Sequence, residues 1–180
     1  KDLERVVKEI ERLVREAEKK IREVNDRSAK LARDLDRRNR EVLKEIKKIA
    51  EDLEREKKED EKAVRDLLRE IRKKVEDVKE TNERILRKLR KEYEELRREV
   101  KKILEEIEKL VRDVERKDKD GKERVERLKR ELERLKRELE ETLKRLDEEL
   151  EKWEERVRES LKRLEDRVRE ILKRLEDDAR

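Results

Sequence analysis

Apolar residues recur along this chain with a period of eighteen. Val6, Val24 and Val42 are spaced by it, as are Leu13, Leu31 and Ile49, then Leu68, Leu86 and Leu104, then Leu128, Leu146 and Leu164. Eighteen residues complete five turns of an α-helix, so such a stripe stays on one side of an untwisted helix, whereas a strict heptad drifts and imposes a left-handed supercoil. Within the repeat, Leu3, Val7, Ile10, Val14, Ala17, Ile21 and Val24 alternate steps of four and three, which keeps them on a single helix face. Long, nearly straight amphipathic helices are therefore predicted.

The stripe is interrupted twice. EREKKEDEK, residues 54 to 62, places charge at Lys57 and Asp60, eighteen residues after Asn39 and Val42, where the period asks for core positions. Asp60 is a suitable N-cap for a helix opening at Glu61. RKDKDGKER, residues 116 to 124, contains the chain's single glycine, Gly121, and Asp120 with Glu123 matches a capping box. These gaps divide the chain into segments of about 2–56, 61–117 and 122–179, each roughly 85 Å if fully helical. The predicted fold is all-α: one domain, residues 1–180, forming a straight antiparallel up-down-up three-helix bundle with near-untwisted packing. The competing arrangement is one helix running without reversal through Lys57.

Composition separates this reading from disorder. Charged residues make up 65% of the chain, but 61 basic and 56 acidic side chains nearly cancel, unlike most disordered segments. Glu, Lys, Arg and Leu are good helix formers, and proline is absent. No apolar run exceeds two residues, which excludes a membrane span and a signal peptide. The chain is expected to be soluble, cytoplasmic when expressed recombinantly, and without a targeting signal. Its net charge of +5 is spread as +2, +3 and 0 over successive thirds. No basic patch is visible and only Tyr93 and Trp153 are aromatic, so no nucleic-acid partner is expected.

Several stripe positions are polar. In an antiparallel bundle, position i of the first helix lies level with roughly 117 − i in the second and roughly i + 121 in the third. Asn39, Thr81, Asn82 and Ser160 then fall in one layer, and Asn25, Ser28 and Tyr93, with Thr142 about a turn away, suggest a second. Hydrogen-bonded layers of this kind fix register, because buried polar groups must be paired. Trp153 falls level with Ala29 and Ala32, a large side chain facing small ones. On the outer faces, Glu11 with Arg15, Glu23 with Arg27, Glu126 with Arg130 and Glu141 with Arg145 have ion-pair spacing.

No pattern for chemistry emerges. Glu140 with Glu141 and Glu148 with Glu149 lie on the polar face, far from the enclosed setting that separates carboxylate pKa values. Without histidine or cysteine, carboxylate-histidine and zinc sites cannot be built. DKDG, residues 118 to 121, resembles part of a calcium loop, but its first and last ligand positions become Arg116 and Arg127. Ser28 and Ser160 have no histidine to activate them. Catalytic, cofactor-binding and metal-binding residues are all expected to be none.

Six residue types are missing: Cys, His, Met, Phe, Pro and Gln. Together with the eighteen-residue repeat, the Glu/Lys/Arg surface and the polar layers, this reduced alphabet resembles computationally designed, parametrically generated three-helix bundles. That resemblance implies a rigid, monomeric scaffold that is not an enzyme and requires no partner. The alternative is an interaction module pairing with itself or a helical partner, for which Val6, Leu13, Leu43 and Val111 widen the apolar stripes. Under the scaffold reading, Asn39→Leu is expected to keep or raise thermal stability while loosening specificity.

Overall fold

The computed structural model describes residues 2–56 and 61–178. They form three helices, α1 (Asp2–Glu56), α2 (Glu61–Lys117) and α3 (Lys122–Asp178). The boundaries fall at the two charged gaps, and the expected last residue of the third segment, 179, lies outside the described residues. The cap anticipated at Asp60 and the gap residue Lys57 lie outside the described residues.

The helices contribute to two compact units, Lys1–Ser28 with Leu89–Leu150, and Ala29–Lys88 with Glu151–Arg180. In the second unit Asn39 meets Asn82, 43 residues away, while Glu45 meets Lys74, only 29 away. A separation that shrinks as α1 advances means α1 and α2 run antiparallel, so the chain reverses between them. α3 runs antiparallel to α2 here, since Arg72 meets Glu176, 104 residues away, while Asn82 and Ser160, 78 apart, share Asn39 as partner, and it is therefore parallel to α1. In the first unit Arg90 meets Asp147 at a separation of 57 and Glu115 meets Lys129 at 14, which makes α2 and α3 antiparallel. The fold is an all-α three-helix bundle.

Packing follows the stripes. In the second unit Ile46, Ala50 and Leu53 of α1, Leu68, Ile71 and Val78 of α2, and Leu164, Val168 and Leu175 of α3 form one cluster. In the first unit Leu89, Ile107 and Leu150 are fully buried. Burying such side chains contributes ~1.5–3 kcal/mol each, and no large hydrophobic side chain is exposed among the described residues. Leu13 and Val111, expected to widen the stripes outward, are 4% and 3% exposed, covered by the bundle itself. Val6 and Leu43 are half-buried. Three seams at one crossing enclose a wider arc of each helix than the stripe alone suggests.

Four helix ends complement the backbone dipole, with Glu61 and Glu123 in the first turns of α2 and α3 and Arg55, Arg116 and Lys117 in the last turns of α1 and α2, whereas the last turn of α3 has no basic residue. One cap differs from expectation. The first backbone bond of α3 runs from Val125 N–H to the Gly121 carbonyl at 3.0 Å, making Gly121 the N-cap and leaving Asp120 one position too early for the capping box. Nor is Gly121 in the left-handed region. Its lack of a side chain also leaves room for the Asp118 carboxylate: a Cβ there would lie 2.5 Å from Asp118 Oδ2.

Candidate functional site

The candidate site is the buried polar layer of the second unit, and it is assembled from all three helices. Asn39 replaces an apolar residue in the α1 stripe and is 1% exposed; Asn82 replaces one in α2 and is also 1% exposed. Their amides bond reciprocally: Asn39 Nδ2 donates to Asn82 Oδ1 at 3.0 Å, and Asn82 Nδ2 donates to Asn39 Oδ1 at 2.9 Å. The second N–H of each amide is also engaged. Asn39 donates to Ser160 Oγ at 3.4 Å, and Asn82 to the Val78 carbonyl at 2.7 Å. Both NH₂ groups thus use two donors, which satisfies the requirement that buried amides be paired.

Thr81, assigned to this layer from sequence, turns away. Its hydroxyl donates to the Asp77 carbonyl one turn back at 2.8 Å. A helical threonine always has that i−4 carbonyl within reach, so a local bond competes successfully with a cross-helix one.

The second anticipated layer does not form. Tyr93 donates its hydroxyl to the Leu143 carbonyl at 3.3 Å, and Thr142 bonds the Glu138 carbonyl at 2.7 Å, again one turn back. Asn25 is half-buried and joins neither, while Ser28 is fully buried with an Oγ that lacks a hydrogen-bond partner. The tyrosine hydroxyl reaches the α3 backbone instead of Asn25 or Ser28. Burial raises the Tyr93 pKa, and the nearby Asp147 carboxylate adds to the effect, against lowering by Arg97 and Arg90. Asp147 is itself held by Arg90 Nη1 at 2.6 Å.

Trp153 packs as expected, against the cluster of Ala32, Leu35 and Val157. Its neighbour Glu154 was not anticipated: it is 7% exposed and lies 3.9 Å from Arg158. The signal was present, since Glu154 stands four residues after Leu150 and three before Val157, which is stripe spacing. Of the four surface pairs, Glu11–Arg15 and Glu141–Arg145 approach to 3.8 Å, whereas Glu126 turns to Lys129 at 3.9 Å. Glu140, Glu141, Glu148 and Glu149 are exposed. Among the described residues no three His, Cys, Asp or Glu side chains converge as a metal ion would need, and no helix is long and apolar enough to cross a membrane.

No protein-family model matches this chain, and no curated protein sequence matches it. Among solved structures, it is similar to a chain described as a "Computationally designed three helix bundle", with a TM-score of 0.65 at 19% identity, over 98% of this chain and 91% of that one. At that identity the likeness establishes the fold: three long helices packed on one another.

Proposed function

We propose that the chain is a designed structural scaffold, a monomeric three-helix bundle whose role is to hold its form, with the Asn39–Asn82–Ser160 layer setting the register of its helices. The observation that carries the reading is the reciprocal amide pair extended to the third helix. Amides bonded to one another at a core level are fully used in alignment, and any shifted register would bury them unpaired at a cost of a few kcal/mol. The six missing residue types and the eighteen-residue repeat support a designed origin, as does likeness to a bundle so described.

The test is solution mass by sedimentation equilibrium at near-physiological salt. A single-chain mass of 22.5 kDa is expected. A dimer mass would overturn the monomeric scaffold and favour an interaction module that pairs through a helix face.

A further inference from the structure

Tallied by thirds of the sequence, the cations look evenly spread, but folding gathers them along one line of α1. Lys30, Arg33, Arg37, Arg40, Lys44 and Lys48 recur at steps of three or four residues, and all six are exposed. The same stretch buries Ala32, Leu35, Asn39 and Ile46 against the bundle, so the cations crown the outward face as a ridge ~27 Å long. Of the acids of this stretch, Asp34 is engaged with Arg37 at 2.5 Å, Asp36 with Arg40 at 2.7 Å, and Glu45 with Lys74 of α2 at 3.4 Å, while Glu41 is exposed beside the line, four residues from Arg37. Lys30, Arg33, Lys44 and Lys48 make no ion pair among the described residues.

We infer that this ridge is a non-specific docking surface for the phosphate backbone of duplex nucleic acid. Magnitudes choose the occupant. Against the mixed face of a second copy, such as the stretch of α3 where Glu155, Glu159 and Asp166 alternate with Lys152 and Lys162, exposed pairs are weak and screened and the like charges of that face repel, so pairing gains little against lost translational and rotational freedom. A duplex carries one charge per ~1.7 Å with a condensed counterion layer, so each phosphate neutralised releases an ion and the gain is entropic. The ridge has no aromatic side chain on which single-stranded bases would stack. Net charge of +5 favours the approach.

The experiment is fluorescence anisotropy of a labelled DNA duplex of arbitrary sequence, titrated with the intact chain. Engagement of about four to six phosphates gives a slope of log K against log salt near about −4 to −5, a loss of roughly 300- to 1,000-fold between about 50 and 200 mM salt. The variant Arg33→Glu, Lys44→Glu, Lys48→Glu should abolish low-salt binding. A control of equal charge change spread over the three helices, Arg27→Glu, Arg87→Glu, Arg163→Glu, should retain most of it, with circular dichroism showing both to be folded. No binding at the lowest salt, or equal loss in both variants, overturns the ridge as a docking surface. Neither result touches the scaffold reading, which the solution mass decides separately.

Discussion

Asn39 and Asn82 hold each other through two hydrogen bonds of 3.0 and 2.9 Å at a buried level that Ser160 shares. This pairing reverses the expectation that Asn39→Leu would be harmless. With Asn39 gone, Asn82 Oδ1 loses its donor while remaining buried, and an unsatisfied buried acceptor costs ~1–3 kcal/mol. Chemical denaturation of Asn39→Leu should show that loss. The double variant Asn39→Leu, Asn82→Leu should recover most of it, because removing both partners leaves nothing stranded. A single variant as stable as the parent would mean the pair contributes no coupling.

Ser28 presents the opposite case. Its hydroxyl is fully buried and has no hydrogen-bond partner, so folding strips water from it without return. Ser28→Ala removes one oxygen and keeps helix propensity favourable. A gain of about 1 kcal/mol is expected in the unfolding free energy. A loss of similar size would show that the hydroxyl is bonded in solution.

Tyr93 gives the fold a dependence on alkaline pH. Burial, reinforced by Asp147, raises its folded pKa above the ordinary tyrosine value of about 10. A group raised in the folded state contributes stability that is fully present below its unfolded pKa and is lost as pH rises through the folded value. Neutral pH therefore lies on the plateau, and the decline begins above about 10. Lysines titrate nearby, so the informative quantity is the stability difference between the parent and Tyr93→Phe across that range. It should shrink as pH rises. As the chain's one tyrosine, Tyr93 also reports directly by ultraviolet absorbance, and its ionisation should come later than that of free tyrosine.

Fold and site were legible to different depths for physical reasons. Helix limits could be read because losing an apolar stripe is a long-range signal, and the level shared by Asn39, Asn82 and Ser160 followed from helix rise alone. Hydroxyl direction was not readable in the same way. Thr81 and Thr142 choose between a carbonyl one turn back and a neighbouring helix, and that choice rests on a single rotamer. Ser28 and Tyr93 share a unit without bonding, because the Tyr93 hydroxyl takes the Leu143 carbonyl instead. The ridge on α1 was missed because charge was counted along the chain, whereas a partner meets it around the helix.

Gly121 separates two explanations for one glycine. As N-cap of α3 it tolerates the backbone better than alanine, which ranks far below glycine there. It also leaves room for Asp118, whose carboxylate would meet a Cβ at 2.5 Å. Gly121→Ala should cost about 1 kcal/mol through both effects. The crowding group is the end of a short side chain that can swing aside, so crowding is the smaller part. In an Asp118→Ala background the same glycine substitution should become cheaper by a few tenths of a kcal/mol, the coupling expected of neighbours that touch. An unchanged cost in that background would assign the glycine wholly to capping.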